Sequence, residues 1–435
     1  MHALARRAAE VTWVSTRYLL PLGVRHVTRR PPPTRDVARG LRRTFEQLAG
    51  VYAKFGQLLG SAPGIFGPEL ASEFRGFLDR GPTVSIAHVV STLEREWRRD
   101  LHEVLTYIDP RPVGSASLAV VHRATRTNGE DVAVKVLRPG IESDVALDVG
   151  LLQPLTSLLA RRFGVGAAEP AVRLLDGLSQ QLSAELDLRL EARTMSEAHR
   201  SLEERPNGRL NVPRVHHDLS TRRVLVTDYV NGLPVDDART LLDAGIDPAG
   251  LMEDLLRWWF TCALNETFHA DLHAGNLLVD PEGRLHIVDW GIVGRLDDFS
   301  NEFFRRMLQA ALGDEDAWSD VLATLLVIWE KPPGMTDEEL AAMLRAMITS
   351  VFTSPFGEVD LTALIIVPDR RSGQETAVRD DHQDWASGTG TEFERHLTLL
   401  VKQLIYFERY GKLYLPERSL LADRAFFADL LATPE

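Results

Sequence analysis

The residues of this chain best suited to chemistry lie between His269 and Gly291. The stretch reads His-Ala-Asp-Leu-His-Ala-Gly-Asn-Leu-Leu-Val-Asp-Pro-Glu-Gly-Arg-Leu-His-Ile-Val-Asp-Trp-Gly. Two short apolar runs, 277–279 and 285–288, flank Asp280-Pro281-Glu282-Gly283. Pro at the second turn position and Gly at the fourth fit a type I turn, so a β-hairpin is expected. A hairpin brings its ends together. Asp271 and Asn276 stand just before the first strand and Asp289 just after the second, so the three should converge. One Asp to orient a nucleophile, an Asn five residues on and a second Asp beyond the hairpin are the parts of a phosphoryl-transfer site. Asn276 and Asp289 offer oxygen ligands, which suit magnesium. A transition-metal site on His269, Asp271 and His273 is the rival. It leaves Asn276 and Asp289 without a role.

Those groups need a phosphate-binding partner upstream. Residues 112–117 read Pro-Val-Gly-Ser-Ala-Ser, a loop of small side chains. Strands over 118–124 and 131–137 should pair about Asn128-Gly129, a strong hairpin signal. The second carries Val132-Ala133-Val134-Lys135. A loop built from Gly114, Ser115, Ala116 and Ser117 lets backbone N–H groups approach phosphate, and a strand lysine can then neutralise it. Taken alone, Lys135 is an ordinary snorkelling strand lysine; its place after loop and hairpin gives it the other reading. A site lysine needs a carboxylate to hold it. The helix-rich stretch 144–202 offers Glu185, Asp187 and Glu191, and spacing does not choose among them. Short strands are expected over 212–215 and 223–227. The connector Asp228-Tyr229-Val230-Asn231-Gly232 follows, with backbone groups at Asp228 and Val230 suited to an adenine edge.

The rest of the chain must position these groups. Residues 1–30 alternate apolar clusters with arginines and fit an amphipathic helix, ended by Pro31-Pro32-Pro33. Helices are expected over 36–59, 69–79 and 86–103, then over 251–268, 296–352 and 391–431. Trp258, Trp259 and Phe260 read as core. Residues 368–390 are polar and read as a loop or insertion. The boundaries drawn are 1–34, a basic segment; 35–104, a helical extension; 105–230, a strand-containing lobe with inserted helices; and 231–435, a mainly helical lobe with the catalytic hairpin.

The 435 residues are 44% hydrophobic and 26% charged, enough for two domains or one bilobed one. The one cysteine, Cys262, excludes an intramolecular disulfide framework and fits a reducing cytosol. No apolar run approaches the ~20 residues that span a bilayer, and no secretory signal is visible. The net charge is -13, yet residues 1–43 hold ten arginines against Glu10 and Asp36, about +8. Such asymmetry points to an anionic surface, with a peripheral membrane position expected. Nucleic acid is not an expected partner, since no aromatic-interleaved basic patch follows.

Taken in order, Lys54-Phe55-Gly56-Gln57, the small-residue loop with Val121-His122-Arg123-Ala124, Lys135 with Arg138-Pro139-Gly140, Glu185-Leu186-Asp187, Asp271 to Asn276 and Asp289-Trp290-Gly291 resemble the UbiB/AarF/ADCK family of atypical kinases. The match covers about residues 40–300, with a weaker helical likeness to about 430. The resemblance implies an α+β, bilobed protein-kinase-like fold with a helical N-terminal extension and a mainly helical C-lobe. It implies binding of ATP or ADP with magnesium. Lys135 looks like the phosphate-contacting lysine, Glu191 like its helix partner and Asp271 like the catalytic aspartate. Asn276 and Asp289 look like the metal ligands. Lys54, Gly56 and Gln57, with Glu185 and Asp187, look like the family's own elements, which fold over the nucleotide site. The family is linked to ubiquinone and other isoprenoid-lipid metabolism and associates with membranes. The departures are Gly114-Ser115-Ala116-Ser117 in place of an alanine-rich loop, Ala62-Pro63-Gly64 where an Arg and an Asp usually stand, and Ala270 where an arginine would read an activation-loop phosphate. The glycine should loosen the loop backbone and leaves the choice between ATP and ADP open. The expectation is an ATP- and magnesium-dependent atypical kinase or ATPase, cytoplasmic and peripheral on the membrane. The alternatives are a small-molecule phosphotransferase of the aminoglycoside or choline kinase type, which gives Lys54 to Gln57 no role, and a non-catalytic nucleotide-gated scaffold.

Overall fold

The computed structural model describes residues 2–27, 34–48, 50–61, 68–74, 84–116, 118–163, 168–205, 209–328, 334–359 and 389–432. Pro31-Pro32-Pro33, Ala62-Pro63-Gly64, Ser117 and most of the 368–390 stretch lie outside them. The class is α+β, as expected: helices with mainly antiparallel sheets. The chain divides into two compact units, one of residues 1–196 and 214–229, the other of 197–213 and 230–435.

In the first unit a helical extension comes first. Helix α1 (His2–Val27) is followed by α2 (Thr34–Leu48), α3 (Val51–Ser61) and α4 (Pro68–Phe74). Helix α2 buries Ala38, Leu41, Phe45 and Leu48, one stripe at helical spacing. Phe45 packs against Tyr52, Phe55 and Phe74 at ring separations of 5.5–5.8 Å, tying α2, α3 and α4 together. The single helix expected over 36–59 is two, because Gly50 takes a left-handed φ of 56° between them. Likewise the helix expected over 86–103 is split into α5 (Ile86–Trp97) and α6 (Leu101–Val104), with Arg98 left-handed at the break.

Strands β1 (Leu105–Ile108), β2 (Gly114–Ser115), β3 (Ala119–Arg126), β4 (Asp131–Leu137) and β6 (Val224–Asp228) form one antiparallel sheet in the order β1-β3-β4-β6, with β2 on β3. The β3–β4 hairpin turns at Asn128-Gly129, where Gly129 has a φ of 90°. Along β4, Val132, Val134 and Val136 alternate into a core shared with Val89, Leu93, Val224 and Val226. Period two therefore sends Lys135 to the opposite face. Helices α7 (Ile141–Phe163), α8 (Ala168–Glu185) and α9 (Leu188–Glu204) follow β4.

In the second unit β5 (Leu210–Asn211), β7 (Leu233–Pro234), β9 (Leu277–Val279) and β10 (Leu285–Ile287) form a sheet in the order β5-β10-β9-β7. The strand expected over 212–215 is absent: strand β5 lies earlier, parallel to β10, and Val215 makes only an isolated bridge to Thr227. Helices α10 (Ala238–Asp243) and α11 (Pro248–Asn265) precede the two-residue strand β8 (Phe268–His269), which pairs with β11 (Val293–Gly294). Helix α11 thus stops before Phe268. Its Trp259 is buried against Phe260, Phe268 and Phe407, so these aromatics are core. Helices α12 (Asp298–Leu312), α13 (Glu315–Ile328), α14 (Asp337–Thr353), α15 (Thr389–Tyr414) and α16 (Arg424–Ala432) complete the unit, with residues 415–423 non-helical.

Candidate functional site

In the first unit Lys135 meets Glu191. Its Nζ lies 2.8 and 2.9 Å from the two carboxylate oxygens, with side-chain exposures of 15% and 6%. Spacing left three carboxylates open; the fold chooses Glu191 because it stands in the first turn of α9. Glu185 instead pairs with Lys54, at 3.3 Å to each oxygen, and also accepts from Gln181 Nε2 at 2.9 Å. Asp187 is held by the guanidinium of Arg189 at 2.8 and 2.6 Å, which keeps its carboxyl below the usual carboxylate range. Gly56 is buried in α3, and the Gln57 side chain lies outside the described part.

The small-residue loop is stapled from behind. Arg138, 4% exposed, donates to the Ala116 carbonyl from Nε and Nη2 at 2.9 and 2.8 Å and to Ser115 Oγ at 2.9 Å. Gly114 sits in β2 opposite Val121 with no left-handed φ, so the glycine does not loosen the loop as expected: strand pairing holds it. At the connector, the Asp228 N–H donates to the Arg214 carbonyl and the Tyr229 N–H to the Asp131 carbonyl. The Asp228 carboxylate is taken by His216 at 2.8 Å and Arg214 at 3.4 Å. Burial would raise its pKa, but these bonds outweigh it and hold the group low. Val230 begins the second unit's longer segment.

In the second unit the expected hairpin forms. Leu277, Leu278 and Val279 face Ile287, His286 and Leu285. The turn closes by a Gly283 N–H to Asp280 carbonyl bond of 3.0 Å, and Gly283 takes a φ of 79°. Asp280 accepts from the Arg284 N–H at 2.8 Å, Arg284 Nε at 2.9 Å and His286 Nε2 at 2.8 Å. At the open end Asn276 Nδ2 donates to the Asp271 carbonyl at 3.0 Å, and the Val288 N–H donates to the Asn276 carbonyl at 3.0 Å. Asp289 Oδ1 accepts the Gly291 N–H at 2.9 Å. The hairpin therefore fixes Asp271, Asn276 and Asp289 to one another through the backbone.

His269 is the hub of this end. It is fully buried, and burial pushes its imidazole pKa down, so the ring is neutral. Nδ1 accepts the Asp271 N–H at 3.0 Å, hence Nε2 carries the proton and donates to the Asp289 carbonyl. Both ring nitrogens are thus spent, which removes the transition-metal rival. Among the described residues no group of three His, Cys, Asp or Glu is placed to hold a metal ion. The donor set fits magnesium instead: Asn276 spends its Nδ2 on the loop, leaving its amide oxygen as the end that can meet a cation. Asp289 supplies the charge, and magnesium usually takes only one or two protein ligands besides water and phosphate.

Sequence reasoning does not find Lys402 and Tyr406. Both come from α15 and both meet Asp271 Oδ1, at 2.7 and 3.2 Å. The two contacts span 131 and 135 residues and no motif marks them. Arg138 is visible in the sequence only as part of Arg-Pro-Gly, with no hint that it clasps the loop.

Comparison with known proteins agrees with the family resemblance. A family model of the ABC1 atypical kinase-like domain matches residues 77–321, more than half of the chain. An uncharacterized Mycobacterium tuberculosis protein is 33% identical over 435 aligned positions, covering 98% of this chain and 85% of that one. An aarF domain-containing protein kinase of Arabidopsis thaliana, described as uncharacterized and chloroplastic, is 30% identical, covering 88% of this chain and 73% of that one. A probable protein kinase UbiB of Marinobacter nauticus is 29% identical, covering 89% and 69%. With its kinase-like fold, the chain belongs to the ABC1 atypical kinase-like family, alongside kinases named for aarF and UbiB.

Proposed function

We propose that this protein binds ATP with magnesium and transfers or hydrolyses its terminal phosphoryl group, in the service of isoprenoid-lipid metabolism at a membrane surface. The strongest support is the hairpin that ties Asp271, Asn276 and Asp289 together in the second unit. The Lys135–Glu191 pair in the first unit adds to it. In this reading Asp271 orients the attacking hydroxyl or water and takes its proton. The new O–P bond forms as the bond from the terminal phosphorus to its bridging oxygen breaks, and ADP leaves with the electron pair. Asn276 and Asp289 hold magnesium, which when bound draws negative charge off the phosphate oxygens. Lys135, fixed by Glu191, contacts the phosphates, and backbone groups of the small-residue loop and of Asp228 and Val230 hold the rest of the nucleotide. Lys54 and Gln57 with Glu185 and Asp187 gate access. The lipid assignment is supported by family membership and by the relative named UbiB.

The test is Asp289→Asn, which removes a charge from the metal's ligand set. Saturating MgATP should stabilise the wild-type protein by about 2.7 kcal/mol at a hundredfold excess over its dissociation constant. In the variant the stabilisation should largely vanish in thermal unfolding. Equal affinity and equal magnesium dependence in both forms would refute the reading.

A further inference from the structure

Helix α15 presents a polar stripe to the catalytic loop. Lys402, Gln403, Tyr406, Tyr410 and Tyr414 recur at helical spacing, so they share one face. Gln403 Oε1 accepts the Leu272 N–H at 3.0 Å, and Tyr410 donates its hydroxyl to the Leu272 carbonyl at 2.8 Å. Tyr414 donates to the Val235 carbonyl. Lys402 Nζ lies 2.7 Å from Asp271 Oδ1, and the Tyr406 hydroxyl donates to the same oxygen at 3.2 Å. One helix thus clamps both the backbone of the loop and the rotation of its carboxylate.

The loop itself cannot supply that cation. Residues 269–276 contain no lysine or arginine, and position 273 is a histidine whose Nδ1 is taken by the Gly275 N–H at 3.0 Å. A carboxylate that must work beside a nucleotide's terminal phosphate faces like-charge repulsion, and partial exclusion of water strengthens it. The Lys402 side chain is 39% exposed, against 17% for Asp271, and an ammonium has three donors.

We propose that Lys402 is a positioning residue of the phosphoryl-transfer site: it fixes the Asp271 carboxylate and offsets its charge against the terminal phosphoryl group of the nucleotide. The inference rests on the function proposed above. A merely structural ion pair would affect stability and would treat nucleotides with and without that group alike.

The experiment uses the full chain as wild type, Lys402→Met, Lys402→Arg and Asp289→Asn, with calorimetric titration of MgATP and MgADP and steady-state ATP turnover. Lys402→Met should weaken MgATP by about fivefold, the effect of one partly exposed charge pair, and leave MgADP within about twofold. Its kcat should fall by about 10- to 100-fold, as for a slightly misplaced catalytic group. Lys402→Arg should recover most of both losses. Should Lys402→Met fail to fold, Lys402→Gln takes its place. Equal changes for the two nucleotides, an unchanged kcat or no rescue by arginine overturns the proposal while nucleotide binding stands. A wild-type protein that binds neither nucleotide, or an Asp289→Asn variant that binds like wild type, overturns the function itself and this inference with it.

Discussion

Lys54 and Lys135 are each held by a glutamate in the same unit, but not equally. Lys135 sits between both oxygens of Glu191 at 2.8 and 2.9 Å. Lys54 stands back at 3.3 Å from a carboxylate that Gln181 also uses. Exposures of 17% and 13% put the Lys54–Glu185 pair between the surface and the buried regime. A double-mutant cycle on Lys54→Ala and Glu185→Ala, read by urea unfolding, should therefore give a coupling of about 0.5–3 kcal/mol. Removing Lys135 takes its closest cation from the buried Glu191 carboxylate, at a cost of about 3–5 kcal/mol. Strict additivity of the first pair, or a smaller loss at Lys135 than at Lys54, contradicts this ranking. Residue by residue, the sequence exposes what is local. Asp271, Asn276 and Asp289 are legible because one hairpin joins them. Spacing alone does not choose Glu191 for Lys135, though the family resemblance names it and the fold pairs them; Lys402 carries no mark because helix α15 reaches Asp271 from far along the chain.

The hairpin is the element that makes the site legible, and Asp280 is what holds its turn. Its carboxylate, 8% exposed, takes a backbone N–H and two side-chain donors. Burial alone would raise its pKa. The bond from His286, with those from Arg284, outweighs that and depresses it below 3.8. A depressed carboxyl contributes stability in full above its unfolded value and loses it as pH falls through the lower folded value. Asp280→Asn should thus cost about 1–3 kcal/mol at pH 7 in urea unfolding. The gap to wild type should close below about pH 3.8, near the ordinary carboxyl value. A gap that persists unchanged in acid would place the cost in turn geometry instead. Turn chemistry of this kind reads directly from Asp-Pro-Glu-Gly. Breaks at Gly50 and Arg98 do not, because the apolar stripes run on through them, and only packing decides where helices α2 and α5 stop. Strand β5 was also hidden: two residues beside β10 hold too little pattern to stand out.

Charge is a property of the whole molecule, and here it is divided. The chain carries a net -13, yet residues 1–43 carry about +8. Beyond a Debye length of about 8 Å at physiological salt, the distant acidic surface is largely screened, so a local basic segment acts on its own account. Helix α1 turns one face inward: Val14 is buried, and Arg7 donates to both oxygens of Asp148 on α7 at 3.0 and 2.7 Å. Its other face leaves Trp13 and Leu20 each 57% exposed, with the Arg17 guanidinium 5.5 Å from the Trp13 ring and 5.6 Å from Tyr18. Among the described residues no helix is long and apolar enough to cross a membrane, so attachment through α1 would be interfacial. Aromatic and aliphatic insertion then adds to roughly 1 kcal/mol per basic residue near an anionic surface. The full chain should float with phosphatidylglycerol-containing vesicles at low salt, much less at high salt, and not with phosphatidylcholine alone. Deleting α1 would also break the Arg7–Asp148 pair, so the informative variant is Trp13→Ala with Arg17→Ala and Leu20→Ala, which alters only the exposed face. Its flotation should drop several-fold while its thermal unfolding stays that of wild type. Equal flotation of the two proteins would show that this face does not meet the membrane.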